Sequence, residues 1–183
     1  MRKLIDTLQT NMRNKKLLLL VGKAGVGKNT WAEDYRQAYP NERVKIYAFA
    51  DHLKQCARDY YGWNGIKDER GRQLLINLGN HFRAYDPLLL IRIVQRKVEN
   101  DYLYDNVDTF IISDCRFDNE ISYIKDNIQI GKGEITAIEL RREFYTKLTA
   151  EQLLDPTELG VDRSLVDEVV DLYARVRLPI KEK

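Results

Sequence analysis

Apolar residues in this chain come in short runs separated by charged, turn-rich stretches, and the runs follow two different periods. Leu17-Leu18-Leu19-Leu20-Val21 is continuous rather than alternating, as a strand buried on both faces requires. Val44 to Ala50, Thr109-Phe110-Ile111-Ile112-Ser113-Asp114 and the stretch from Gly133 to Arg142 read as three more strands. Elsewhere the period is helical. Leu4, Ile5, Leu8 and Met12 predict a short amphipathic helix over 3–13, Trp31 to Tyr35 a helix after the first strand, and Leu53 to Tyr61 another. Asp51 suits the N-cap of the last of these, and Gly62-Trp63-Asn64-Gly65 breaks it. Lys67 to Tyr85 is helical in pattern but heavily charged. Asp86-Pro87 predicts a further helix through Leu90, Ile93, Val94 and Val98, with proline at the favoured first position. Pro40-Asn41-Glu42 and Asn106-Val107-Asp108 mark turns. Val166, Val169, Val170 and Tyr173 predict a closing amphipathic helix over 161–176.

Strands alternating with helices imply the α/β class: an open, mainly parallel sheet flanked by helices on both faces. At 183 residues one domain suffices. Its core is expected over about 15–50 and 105–183, with a helical insertion over about 51–104. Ligands of such sheets bind at the carboxyl ends of the strands. The glycine-rich segment after the first strand, Asp51 and Asp114 all fall at such ends.

Composition narrows the class. The formal net charge is +2, from 30 basic and 28 acidic side chains, which argues against a nucleic-acid-coating surface. Two cysteines, Cys56 and Cys115, are too few for a disulfide framework and suit a reduced compartment. No run approaches the ~18 apolar residues of a membrane helix. A cytoplasmic protein without a membrane partner is therefore expected, and a homodimer is left open.

The chemistry starts at Gly22-Lys23-Ala24-Gly25-Val26-Gly27-Lys28-Asn29-Thr30. Gly22, Gly27 and Lys28 fit the P-loop formula, in which curled backbone N–H groups and a helix N-terminus hold phosphate while the lysine reaches its outer oxygens. Asn29 stands where Ser or Thr is usual, and the hydroxyl comes one place later at Thr30. That spelling is similar to the loop of nucleoside monophosphate kinases of the adenylate kinase type, which implies a role for Thr30 in holding Mg²⁺ and phosphate. Asp114 ends an apolar strand as a Walker B acid would, holding the metal shell or orienting substrate.

Three further blocks are more specific: Phe49-Ala50-Asp51-His52-Leu53-Lys54, then Leu78-Gly79-Asn80 with Arg83 and Asp86-Pro87, and Asp114-Cys115-Arg116-Phe117-Asp118-Asn119-Glu120. With the glycine-rich loop they make the chain resemble the deoxynucleoside monophosphate kinases of tailed bacteriophages, from about Leu17 to Arg142. Such kinases work in the host cytoplasm. His52, Asn80 and Leu90 depart from that family's usual proline, threonine and tryptophan, and the last two bear on the acceptor base.

The resemblance implies a P-loop kinase fold and transfer of phosphate from ATP, with Mg²⁺, to a (deoxy)nucleoside monophosphate. Lys28, Asp114, Arg83 and Arg116 would be catalytic, with Thr30 and Asp114 on the metal. Residues 22–30 would take the donor, with Arg142 or Arg141 beside its base. Asp51, Lys54, Arg72, Gly79, Asn80, Arg83, Leu90, Asp114, Arg116 and Glu120 would face the acceptor.

The chemistry agrees with these residue types. A monophosphate, with its second pKa near ~6, needs no general base. Two polyanions must be brought together instead, and guanidinium groups grip phosphate bidentately. Arg72, Arg83 and Arg116 are the leading clamps, with Arg70 behind them. Asp51 is either a site acid or a plain cap. Glu120 either touches substrate or holds Arg116, and an Arg116–Glu120 ion pair is the structural alternative. His81 and Cys115 read as packed, and Trp63 either as the edge of a core or as lining for the acceptor-base pocket. Two other readings keep the loop: a small-metabolite kinase of the dephospho-coenzyme A or phosphomevalonate type, and a non-kinase P-loop ATPase acting on nucleic acid.

Overall fold

A computed structural model describes residues 15–128, 130–131, 133–142 and 158–172. The predicted helix over 3–13 and Tyr173 lie outside these residues. Five strands form one all-parallel sheet: β1 (Lys16–Val21), β2 (Val44–Tyr47), β3 (Thr109–Cys115), β4 (Glu134–Arg141) and β5 (Glu168–Asp171), in the order β2-β3-β1-β4-β5. The helices are α1 (Lys28–Ala38), α2 (Ala50–Tyr61), α3 (Glu69–Tyr85), α4 (Leu89–Tyr104) and α5 (Asp118–Asn127).

The unbroken apolar run of β1 is explained by two separate cores. Leu17, Leu19 and Val21 pack with Phe110 and Ile112 beneath residues from α2 to α5, among them Leu53, Leu78, Val94 and Ile121. Leu18 and Leu20 face the other side with Ile111, Ile138 and Leu140, covered by Trp31, Ala32 and Tyr35 of α1. A central parallel strand buried on both faces has no polar side to show, so its sequence cannot alternate.

Several sequence expectations are corrected. Over its described part, residues 161–172, the predicted closing helix is absent. Arg163–Leu165 form one 3₁₀ turn, and Glu168–Asp171 are strand β5, with Val170 opposite Leu140. Asp167 pins this segment by accepting from the Ala137 N–H at 2.7 Å while Lys125 pairs with it. The second strand stops at Tyr47, and Ala50 already belongs to α2. Asp51 is therefore in the first turn of α2 rather than its N-cap, which is Phe49. Pro87 precedes α4 by two residues instead of opening it. The Asp86 carboxylate takes the Leu88 N–H at 2.9 Å and delays the helix. Helix α5, for which the apolar pattern made no provision, follows Phe117 directly.

This topology fixes where chemistry can gather. β1 lies between β3 and β4, and Val21 is level with Cys115. The loop leaving β1 and the residues ending β3 thus emerge side by side at the carboxyl edge, where the strand order changes direction.

Candidate functional site

Gly22 to Gly27 link β1 to α1, and Gly22, Gly25 and Gly27 have positive φ angles of 139°, 77° and 116°. At Gly22 a Cβ would meet the Leu140 carbonyl at 2.6 Å, so the loop is seated against β4 in a way only glycine permits. Gly27 is the N-cap of α1. Among the described residues no side chain caps that helix, and its first turn holds no acid. It holds Lys28 instead, 7% exposed, whose ammonium donates to the carbonyls of Gly22 and, at 3.0 Å, Lys23. A buried cation at the positive end of a helix dipole opposes the usual placement of charge, as does a first turn left without an acceptor. Burial, and then the Arg116 charge, lower the Lys28 pKa to about 8.

The other helix starts near this crevice are capped. Asp68 accepts from the Gly71 N–H at 2.7 Å. Glu120 accepts from the backbone N–H groups of Arg116 (2.7 Å) and Phe117 (3.1 Å), closing the first turn of α5. Burial pushes the Glu120 carboxyl up to about 7. Asp114, near the end of β3, accepts from the N–H groups of Phe49 (2.7 Å) and Ala50 (3.0 Å), so a carboxylate distant in sequence serves the start of α2. Burial raises the Asp114 pKa, and these two bonds work against the rise.

These elements enclose a cavity of about 630 Å³. Its floor is Ala24, Gly25, Gly27, Lys28, Asn29 and Thr30. One wall carries Asp114, Arg116 and Glu120. The opposite wall comes from α2 and α3, with Lys54, Arg72, Gly79, Asn80 and Arg83, and Leu90 of α4 closes one side. Arg83 lies over the Phe117 ring, its guanidinium carbon 4.6 Å from the ring centroid. Gly79 makes room for it, since a Cβ there would sit 3.1 Å from the Arg83 Nη1. The Arg116 guanidinium meets the Glu158 carboxylate, and the Arg116 contact with Glu120 runs through the backbone.

Not every expected residue lines the cavity. Gly22 and Lys23 contribute carbonyls to Lys28, and Val26 is buried with Trp31 in the core under α1. Asp51 points outward and pairs with Lys54 at 2.8 Å. Arg142 stands beside Gly27, its Nη2 3.6 Å from where a Cβ would be, while Arg141 pairs with Glu139. Arg70 is exposed and lies off the cavity. Trp63 is core, its Nε1 donating to the Ile66 carbonyl at 2.8 Å. Cys115 is fully buried, whereas His81 is exposed rather than packed.

Two lining residues carried no signal in the sequence pattern. Lys67, just before the N-cap of α3, reaches the cavity rim, and partial desolvation followed by the Lys54 charge lowers its pKa. Glu158 arrives from a stretch with no apolar periodicity. Compared with known proteins, the chain matches no protein-family model and no curated relative.

Proposed function

We propose that this protein is an ATP- and Mg²⁺-dependent phosphotransferase that converts (deoxy)nucleoside monophosphates to diphosphates, built on a P-loop kinase fold and akin to the phage enzymes its motifs resemble. The observation that carries the reading is a pairing across one cavity. On one side is a helix start that no described side chain caps, and a buried lysine. On the other are Lys67 and Arg72, which make no ion pair among the described residues. Among the described residues six cationic side chains line the cavity against three carboxylates, an imbalance that suits two phosphate-bearing ligands.

In this reading the backbone N–H groups after Gly25 and the Lys28 ammonium bind the donor phosphates. Arg142, beside Gly27, would flank the donor base. Arg72 and Lys67 take the acceptor phosphate. Arg83, held over the Phe117 ring, and Arg116 carry the charge that develops on the transferring group. The acceptor oxygen is already ionised at neutral pH, so no residue is asked to remove a proton. Thr30 and Asp114 both line the cavity and are the residues that would hold Mg²⁺. A phosphate-borne Mg²⁺ takes one or two protein ligands and keeps several waters. Among the described residues no group of three or more His, Cys, Asp or Glu stands ready for a metal alone. When bound, the ion neutralises phosphate charge and draws donor and acceptor together. Leu53, Leu75, Ile76 and Leu90 supply apolar walls for a base, with Asn80 as the polar group at the rim.

The test is ADP release measured with ATP alone and with dGMP, dTMP, dCMP and dAMP in turn. At least one monophosphate should stimulate release well above the ATP-only rate. Stimulation by a non-nucleotide phosphate acceptor, with none by the panel, would transfer the site to a small-metabolite kinase.

A further inference from the structure

Glu158 is the residue in the cavity least expected of a phosphate site. It is 6% exposed, a depth at which carboxylates are found only with partners. Its Oε2 accepts from the Ala24 N–H of the glycine-rich loop at 2.8 Å, and its Oε1 accepts from Arg116 Nη1. It is also close enough to Lys28 to act on that charge. A loop N–H, a guanidinium and a nearby lysine are the donor set that a phosphate oxygen takes.

We propose that the Glu158 carboxylate is the anion site's own occupant in the nucleotide-free protein, and that a polyphosphate chain must displace it to bind. Glu158 then sets how tightly the loop holds a donor. It keeps Arg116 drawn toward the loop until a phosphate takes its place, and a terminal phosphate frees Arg116 for the transferring group. Two anions cannot share these donors, because like charges at hydrogen-bond distance repel strongly in a partly desolvated cleft. The inference rests on reading the loop as a phosphate site, but not on the identity of any acceptor.

Tripolyphosphate is the probe, because it carries no base and cannot report on acceptor chemistry. Glu158→Gln keeps the side-chain size and an oxygen for the Ala24 N–H while removing the charge. Titration calorimetry should show tripolyphosphate and ATP binding at least about tenfold more tightly to Glu158→Gln than to wild type. Equal or weaker binding to the variant overturns the proposal, since a carboxylate that merely braces Arg116 and the loop would weaken the site when neutralised. That result leaves the kinase reading intact, whereas binding to neither protein removes both.

If the variant does not fold, the wild-type chain gives a second measurement. A protease that cleaves after glutamate should cut after Glu158 faster when tripolyphosphate is present, because the displaced side chain is exposed. Slower or unchanged cleavage at that bond contradicts displacement.

Discussion

Asp114 gives the sharpest prediction, because its two hydrogen bonds join parts of the chain 65 and 64 residues apart. Its carboxylate is the only side-chain acceptor that the described residues offer to the N–H groups of Phe49 and Ala50. Replacing it with alanine leaves two donors at the start of α2 without a partner. An unsatisfied buried N–H costs roughly 1–3 kcal/mol, so Asp114→Ala should lose about 2–6 kcal/mol in total, less whatever entering water recovers. Asp114→Asn retains one acceptor but turns an amide N–H₂ toward the second donor, and should lose about half as much. A domain of ordinary stability, ~5–15 kcal/mol, can survive the second change and come close to unfolding with the first.

The assay is urea unfolding followed by far-UV circular dichroism and by tryptophan fluorescence. Trp63 and Trp31 lie in different cores on the two faces of the sheet, so fluorescence samples both. The midpoint should fall in the order wild type, Asn, Ala with the slope unchanged. The same loss should raise the acceptor KM, since α2 brings Leu53 and Lys54 to the cavity. An Asp114→Ala protein that unfolds within 0.5 kcal/mol of wild type, on the order of an ordinary surface change, would refute the argument.

Other predictions follow from the same geometry. Gly79→Ala places a Cβ 3.1 Å from the Arg83 Nη1 and should shift the guanidinium over Phe117 by a few tenths of an ångström, lowering kcat several-fold with little change in midpoint; unchanged kcat would show that Arg83 does not need that seat. Arg116→Ala should lower kcat by something like ~10³–10⁵ if it stabilises the transferring group, and an effect under about tenfold would make Arg116 a structural residue. Lys28, with its pKa lowered to about 8, is charged below that pH both free and bound, so nucleotide affinity should be flat there. Above about pH 8 the free protein must take up a proton to bind, and affinity should fall by up to about tenfold per unit, with proton uptake visible in calorimetry. The nucleotide-free fold gains stability over the same range, because the unfolded lysine still holds its proton up to its ordinary pKa of about 10.5. Affinity that stays level through pH 9.5 would contradict this.

How far the sequence could be read depended on whether the determining contact was local. β1 was legible because burial on both faces leaves a run that only a central strand can use, and Gly62 was legible because a left-handed C-cap leaves glycine little competition. β5 was not, because Val166, Val169 and Val170 fit a helical stripe as well as they fit a four-residue edge strand. Val169 is 48% exposed there, so burial imposed no clean alternation. The cap of α2 failed for a different reason: Asp51 stands at the right place locally, but the acceptor that serves this helix comes from β3, next to β2 in the sheet but distant in sequence.

The site divides in the same way. Lys28, Thr30, Asp114, Arg83 and Arg116 belong to contiguous patterns and could be named in advance, and the fold brings all five to one cavity. Lys67 and Glu158 reach it only through the tertiary structure. Arg83 and Gly79, one turn apart on the same helix, could be named without the seat they share, because Phe117 comes from a distant part of the chain. Among the described residues no helix is long and apolar enough to cross a membrane.

ATP labelled in its terminal phosphate, incubated with Mg²⁺, the protein and each deoxynucleoside monophosphate, should deliver the label to a deoxynucleoside diphosphate that co-migrates with an authentic standard. Label recovered only as inorganic phosphate, whichever monophosphate is present, would show a nucleotide hydrolase and contradict the account.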